Sequence, residues 1–199
     1  MKTLLALVLT LGTLGAFAQN KPLPSVATTY TVDTTASSVA WIGKKVTGQH
    51  NGHLKIKSGN LVFAGDVLTG GEILVDMNSL TVEDITDTEA SVKFVGHVKS
   101  DDFFATEKFP EAKILIKSSK KTTKGLEVKG DLTIKGITLP VNFLAQVKNA
   151  GNKAEGKATL IIDRTKYDLK YGSGKFFEGL GDKMIHDEFT LSVNIIATK

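Results

Sequence analysis

The sequence of 199 residues contains no cysteine. Disulfide bonds, thiolate catalysis, haem attachment through cysteine and cysteine-based zinc sites are therefore excluded. Without disulfide bonds, the fold has to be held together by an apolar core and by hydrogen bonds within the backbone.

Arginine is also scarce, because Arg164 is the only one in the chain. The other cationic residues are lysines, and the formal net charge is +4. Proteins that read nucleic acids usually carry clustered basic faces with several arginines. Here the densest lysine group, residues 117–124, falls where a hairpin turn is expected. The sequence therefore argues against a nucleic-acid partner and leaves transient contact with an anionic membrane surface open.

Long apolar runs are confined to the N-terminus. Lys2 is followed by an apolar run over residues 4–15, and Ala16 and Ala18 supply the small residues that a signal peptidase reads. This order is typical of a secretory signal peptide, and the run is shorter than the roughly 20 residues of a membrane-spanning helix. We therefore expect residues 1–18 to be a cleaved signal peptide.

The remaining chain predicts one exported domain. Residues 19–29 contain two of the four prolines and predict an N-terminal tether, whereas residues 30–199 contain no internal repeat and no low-complexity tract. Export predicts that the domain is located in the periplasm, with secretion as the alternative.

Apolar and polar residues alternate through most of this domain. The clearest apolar faces are those of Val128, Gly130, Leu132 and Ile134, of Ile137, Leu139, Val141, Phe143, Ala145 and Val147, and of Phe189, Leu191, Val193, Ile195 and Ala197. Alternation with a period of two predicts antiparallel strands with one apolar and one solvent-facing side. Turn signals at 58–60, 69–71, 124–125 and 150–152 separate the runs. Since closure removes exposed sheet edges, we expect an all-β fold, an extended antiparallel eight-stranded β-barrel.

One segment departs from this alternation. In residues 88–99, apolar residues recur at every fourth position, which is typical of one face of an amphipathic helix. Asp87 or Thr88 can cap its start. A second short turn or helix begins at residues 101–104, so one or two short helices are expected at mid-chain. We expect the first of them to close one end of the barrel.

The size of the inward-facing residues decides what an eight-stranded barrel can hold. Several predicted inward positions are small, namely Gly130, Gly136, Ala145, Ala154, Gly156 and Ala158. Small residues leave a lumen for an elongated apolar guest, which gains about 0.8 kcal/mol for each buried methylene. The alternative is that the glycines lie at bends of a barrel filled by its own side chains. Periodicity alone does not separate a lipid carrier from a non-enzymatic envelope interaction module with a filled core.

The order of short motifs along the chain resembles the YceI-like family. The matching stretches are residues 30–33, 37–41, 43–52, 77–81, 97–104, 109–110, 128–141 and 162–164, of which 128–141 is the most specific. The resemblance extends over residues 30–197 and implies a periplasmic, lipocalin-like barrel without catalytic activity. It also implies that the tube encloses a polyisoprenoid or a similar long-chain lipid. Ala36 and Leu139 depart from the family pattern, which often has histidine and arginine there, so the identity of the lipid is less defined than the fold.

The residues predicted to line the lumen or its mouth are mostly apolar and aromatic. They are Trp41, Ile56, Phe63, Val75, Phe94, His97, Phe103, Phe104, Leu132, Ile134, Phe143, Ala158, Leu160 and Leu191. Packing a core uses the same residue types, so core packing is the alternative for each of them.

Polar residues give no pattern typical of catalysis or metal binding. His50 and His53 are three residues apart, but a zinc site needs three or four converging ligands. Asp163 and Arg164 favour an ion pair or a loop support, since no nucleophile or oxyanion site accompanies them. His97 ends the predicted helix, where it suits a capping or pocket-rim role. We expect no metal, no cofactor and no enzymatic activity.

The expected partner is a long-chain isoprenoid or fatty-acyl lipid, bound for transport, storage or sequestration. Association of two barrels into a homodimer is a further possibility that the sequence leaves open.

Overall fold

The computed structural model describes residues 26–199, so the predicted signal peptide and most of the predicted tether lie outside the described residues. The strands are β1 (Ala27–Val32), β2 (Ser38–Lys45), β3 (Gly48–Ala64), β4 (Val67–Asp76), β5 (Glu111–Thr122), β6 (Gly125–Ile134), β7 (Ile137–Ala150), β8 (Lys153–Asp163) and β9 (Ile185–Thr198). One α-helix, α1 (Thr88–Lys99), lies between β4 and β5. Three short 3₁₀ turns cover Met77–Ser79, Arg164–Tyr167 and Gly181–Lys183. None of the described helices is long and apolar enough to cross a membrane.

The strands form a closed antiparallel barrel. Its order is β1-β3-β2-β9-β8-β7-β6-β5-β4, and pairing of β3 with β4 closes it. β1 pairs with residues 60–64 of β3 and β2 pairs with residues 48–54, while both also pair with β9. β1 and β2 thus follow one another in a single position of the wall. The described strands therefore occupy eight positions, which confirms the predicted eight-stranded barrel. Residues 27–29, assigned to the tether from the sequence, belong to β1.

Two glycine-containing segments that were predicted as turns lie inside strands. Residues 58–60 belong to β3 and residues 69–71 to β4, and the hairpin between these strands turns at residues 65–66. Gly71 has a φ of 145°, and a Cβ atom there would lie 2.5 Å from the carbonyl oxygen of Asn60. Glycine at this position therefore permits the close approach of two strands. The turns predicted at 124–125 and 150–152 do connect neighbouring strands.

The helix has the predicted bounds and cap. Asp87 accepts a hydrogen bond from the backbone N–H of Ala90 at 2.8 Å, which satisfies one free donor of the first turn. Val98 is buried and Phe94 packs against the core, whereas Val92 is exposed. One side of α1 therefore covers the barrel.

The two ends of the barrel differ. One end, called the helix end below, carries α1, the β2–β3 and β6–β7 turns and the 164–184 connection between β8 and β9. The other, called the hairpin end, carries the β3–β4, β5–β6 and β7–β8 turns. Tyr30 and Phe63 are buried near the hairpin end, with ring centroids 5.4 Å apart in edge-to-face geometry. The Tyr30 hydroxyl donates to the carbonyl oxygen of Gly151 at 2.7 Å and thereby ties β1 to the β7–β8 turn.

β7 and β8 pair over only part of their length. Their register runs from Ala145 opposite Ala158 to Ala150 opposite Lys153. Residues 137–144 of β7 continue toward the helix end without pairing to β8. Tyr167 and Leu169, from the start of the 164–184 connection, are 3% and 0% exposed. They pack with apolar residues of β6, β7 and β8 and so fill the space between the diverging strands.

Candidate ligand-binding cavity

The interior of the barrel is not filled by its side chains. A cavity of about 420 Å³ lies between the strands and α1, a size within the range of about 300–1,000 Å³ that is typical of small-molecule sites. Its apolar wall includes Val39, Trp41, Leu54, Leu61, Phe63, Leu68, Ile73, Val75, Phe94, Val98, Phe103, Phe104, Ile114, Ile116, Val128, Leu132, Ile134, Phe143, Leu160, Phe189, Leu191, Val193 and Ile195. The cavity disfavours the alternative of a filled barrel core.

Thirteen of the fourteen residues predicted to line the lumen or mouth lie on the cavity wall. The exception is Ile56, which is buried in the core but does not line the cavity. Leu54 and Ile56 are both buried, so the alternation correctly predicts that Ile56 faces the interior, where it packs in the core instead of lining the cavity. A ligand contact for the other thirteen residues stays a prediction.

Three of the small residues predicted to face inward do line the cavity. Ala145 and Ala158 are opposite one another at the last β7–β8 pair, and Gly156 follows along β8 toward the hairpin end. Larger side chains at these positions would extend into the cavity.

The other three small residues have structural roles. Gly136 is in the β6–β7 turn with a φ of 75°, so its assignment as an inward strand residue was wrong. Gly130 faces inward, but a Cβ atom there would lie 2.5 Å from the carbonyl oxygen of Leu115, because β5 approaches closely. Ala154 is fully buried in the core and does not line the cavity. The alternative interpretation, that glycines lie at bends, fits Gly136, which is in a turn.

The charged residues of the wall are mostly cationic. They are Lys44, Lys45, Lys113, Lys157 and Arg164, against the single acidic residue Glu188. Lys44, Lys45 and Arg164 belong to the helix end, as do the wall residues His97 and His186. The cavity is therefore apolar inside and has most of its charged residues at the helix end, where Glu188 and the neighbouring Asp163 and Asp187 oppose the cations. Lys44, Lys45 and Lys157 are exposed and Lys113 lies 3.6 Å from Glu72, so Arg164 is the one buried cation of the wall among the described residues.

Arg164 supports the 164–184 connection. Its side chain is about 3% exposed, and Nη1 donates to the carbonyl oxygens of Leu169 at 2.6 Å and Tyr171 at 2.9 Å. Nη2 donates to the carbonyl oxygen of Ile185 at 3.0 Å, and Nε donates to that of His186 at 2.9 Å. One guanidinium thus joins the start of the connection to the start of β9. The predicted role of a loop support is confirmed.

The carboxylates beside Arg164 are shared with Lys175. Asp163 does not form the predicted ion pair with Arg164 but lies 3.3 Å from Lys175 Nζ, and it accepts hydrogen bonds from Thr165. Asp187 lies 3.0 Å from Lys175 and 3.9 Å from Arg164. Burial alone would raise the pKa values of both carboxyl groups, but hydrogen bonds and the nearby cations hold them below their ordinary range. Burial lowers the pKa of Arg164, and the two carboxylates oppose this shift.

His97 belongs to a small aromatic cluster that Arg164 also contacts. The His97 ring is 4.5 Å from the Tyr171 ring and 6.1 Å from the Phe103 ring, measured between centroids. Arg164 Cζ is 5.7 Å from the centroid of Phe103. His97 is in the last turn of α1 and lines the cavity, as the pocket-rim prediction expected. Its Nε2 is buried and has no hydrogen-bond partner among the described residues.

The His50–His53 pair does not form a metal site. His50 Nδ1 lies 2.8 Å from Asp84, and His53 Nδ1 lies 2.5 Å from Glu83, so each ring pairs with its own carboxylate. No group of three or more histidine and acidic residues with metal-binding geometry occurs among residues 26–199. Burial alone would raise the pKa of Asp84, but hydrogen bonds from the backbone of Asn51 and from His50 hold it below its usual range.

Fold and cavity define the class of the protein, a closed antiparallel β-barrel with an apolar internal cavity covered by one helix. The model of the YceI-like domain matches residues 30–197. The chain therefore belongs to the YceI-like family, as the motifs predicted.

Relatives and solved structures agree with this assignment. The chain is 33% identical over 159 residues to a UPF0312 protein from Vibrio parahaemolyticus, a match that covers 77% of this chain and 82% of the relative. It is 39% identical over 83 residues to Protein YceI of Escherichia coli, covering 37% of this chain and 44% of that protein.

Two solved structures share the fold. BcnA from Burkholderia cenocepacia matches with a TM-score of 0.64 and 20% identity, over 84% of this chain and 99% of that one. A polyisoprenoid binding domain from Saccharophagus degradans, implicated in plant cell wall breakdown, matches with a TM-score of 0.61 and 14% identity, over 85% and 97%. At these identities the likeness concerns the fold alone.

Proposed function

We propose that the protein binds the chain of a long apolar lipid, isoprenoid or fatty-acyl, in the barrel cavity, and that it transports, stores or sequesters this lipid in the periplasm. The observation that carries the proposal is the apolar cavity of about 420 Å³. Unfilled apolar space deprives its wall of dispersion contacts, which a hydrocarbon guest restores. The polyisoprenoid binding domain of the same fold makes an isoprenoid the first candidate.

Burial of a hydrocarbon chain in the cavity favours binding. Ten buried methylenes contribute about 8 kcal/mol, against an association cost of about 4 kcal/mol or more. A polar substrate would find few hydrogen-bond partners on the inner wall, since polar residues are concentrated at the helix end. We therefore propose binding rather than catalysis as the activity.

Extraction of the protein from its native host tests this proposal. Native mass spectrometry and analysis of an organic extract are expected to find about one long-chain lipid per barrel. Ala158→Leu, which enlarges a side chain on the cavity wall, is expected to reduce the bound fraction. Thr159→Leu is the matched control, because Thr159 is the next residue on β8 and is exposed. Absence of stoichiometric lipid across preparations, together with no binding of added lipid, would refute the proposal.

Loading and release require the barrel to meet a membrane, and we propose that the helix end makes this transient contact. Phe176 and Phe177, on the 164–184 connection, are 48% and 49% exposed. Lys170 Nζ lies 5.4 Å from the centroid of the Phe176 ring. Exposed aromatic rings beside lysines are typical of residues that enter the interfacial layer of an anionic membrane. A homodimer stays a prediction.

A further inference from the structure

One buried polar atom on the cavity wall lacks a partner. Three buried side-chain nitrogen or oxygen atoms in the described part of the chain have no hydrogen bond, and only one of them, His97 Nε2, belongs to a residue of the wall. Buried polar groups are nearly always hydrogen-bonded, because an unpaired one keeps its full desolvation cost. Because His97 lines the cavity, a ligand oxygen that enters beside the ring would supply the missing partner once the side chain rotates to expose this nitrogen.

A buried cation lies near this histidine, since His97 and Arg164 both contact the ring of Phe103. Four N–H groups of Arg164 are held by backbone carbonyl oxygens, which are neutral acceptors, so the guanidinium is fixed in place as a buried cation. Its nearest carboxylate, Asp187, is 3.9 Å away and is shared with Lys175. Interactions with a buried cation are weakened less by water than those at the surface.

Among the described residues, no buried cation lines the cavity toward the hairpin end. Phe63, Leu61 and Leu68 form its wall toward the hairpin end. A guest with one apolar tail and one polar head is therefore matched in only one orientation, with its tail toward the hairpin end and its head toward His97.

We propose that His97 and Arg164 form a binding site for the headgroup of the bound lipid and that this headgroup is anionic, a phosphate or a carboxylate. His97 Nε2–H donates to an oxygen of the headgroup, and Arg164 supplies a fixed positive charge nearby. Lys44 and Lys45, which are exposed at the same end, add positive charge at the mouth. The inference rests on the proposed lipid binding and adds to it the chemical class and the orientation of the lipid.

Three lipids with the same sixteen-carbon chain test the inference, namely hexadecanol, hexadecanoate and hexadecyl phosphate. Trp41 is the only tryptophan of the chain and lines the cavity, so its fluorescence reports binding to the delipidated full-length protein. A charge-assisted hydrogen bond predicts that at least one anion binds about tenfold or more tightly than the alcohol. Comparison of the two anions distinguishes a phosphate from a carboxylate headgroup.

Variants of His97 identify the residue responsible. His97→Phe is expected to lose most of the preference for the anion while it still binds hexadecanol, and His97→Gln, which keeps an N–H donor, is expected to retain part of it. His53→Phe is the matched control, because His53 is a half-exposed histidine that does not line the cavity.

The outcomes separate the two proposals. Equal binding of the alcohol and both anions would overturn the headgroup site and leave lipid binding intact. An anion preference unchanged in His97→Phe would overturn the assignment to His97. Failure of all three lipids to bind the wild-type protein would overturn lipid binding and the headgroup site with it.

Discussion

Replacement of Gly52 by alanine is predicted to destabilise the barrel beside the cavity. Residues 80–84 run along β3 beyond the end of its pairing with β4, and a Cβ atom on Gly52 would lie 1.9 Å from the carbonyl oxygen of Thr81. Because Cβ atoms do not approach other atoms this closely, the segment would have to move away by more than an ångström. That movement would strain two backbone hydrogen bonds donated to β3 by Thr81 and Glu83, at 3.0 and 2.9 Å.

The size of the effect follows from the hydrogen bonds that this movement disrupts. Trp41 Nε1 also donates to the displaced carbonyl oxygen of Thr81, at 3.1 Å. Three hydrogen bonds at about 1 kcal/mol each predict a decrease of about 3 kcal/mol in the free energy of unfolding. For a domain of this size, that decrease lowers the melting temperature by roughly 10 °C. Since Trp41 lines the cavity, its fluorescence is expected to change as well.

Equilibrium unfolding in urea measures this decrease, and Gly48→Ala is the matched control. Gly48 begins the same strand, and nothing lies within 4 Å of a Cβ atom built there. Its replacement is expected to change the free energy of unfolding by less than about 1 kcal/mol. If Gly52→Ala proves as stable as Gly48→Ala, the close packing of residues 80–84 against β3 is wrong.

Two further predictions concern the 164–184 connection. The double variant Phe176→Ser, Phe177→Ser is expected to slow lipid transfer to anionic vesicles several-fold, because it has less apolar surface to insert into the membrane. Ile161→Ser, at an exposed position of β8, is the control. Equal transfer rates in the double variant and this control would argue against docking through the helix end. Asp163 and Asp187 have lowered pKa values in the folded protein, so their contribution to stability is present above the ordinary value of 3.8 and is lost as the pH falls through the folded values. Unfolding curves measured between pH 5 and about pH 2 should therefore show a loss of stability that is smaller in Asp187→Asn than in the wild-type protein. If the free energy of unfolding of this variant depends on pH as steeply as that of the wild type, the ion-pair network is not its cause.

Local patterns were sufficient to predict the barrel and thirteen residues of the cavity wall. Alternation assigns each strand residue to a face. In α1, apolar residues at every fourth position predict the helix, and the Asp87 cap marks its start. The turn prediction at residues 69–71 was wrong because the role of Gly71 depends on the backbone of a neighbouring strand. Gly71 permits contact with Asn60 on the preceding strand, and nothing in its own neighbourhood distinguishes this role from that of a turn glycine.

The proposed headgroup site of His97 and Arg164 could be predicted from the sequence only in part. His97 was placed at a pocket rim from its position at the end of α1, but its unpaired Nε2 depends on residues that come from other parts of the chain. Arg164 was interpreted as a loop support, and its uniqueness in the sequence was the one signal of a special role. Its position on the cavity wall follows from carbonyl contacts on both sides of the 164–184 connection, which no sequence pattern encodes.

The location of the polar groups also determines where a lipid can enter and leave. At the hairpin end, the wall is made of paired strands, and Tyr30 ties β1 to the β7–β8 turn. At the helix end, the cover consists of α1 and the 164–184 connection, whose tip contributes no strand pairs to the barrel. Opening the cavity at the helix end would disrupt the hydrogen bonds of Arg164 but leave strand pairing intact, whereas opening the hairpin end would require strands to separate. The proposed headgroup at His97 would therefore lie at the end where exchange breaks no strand pairs.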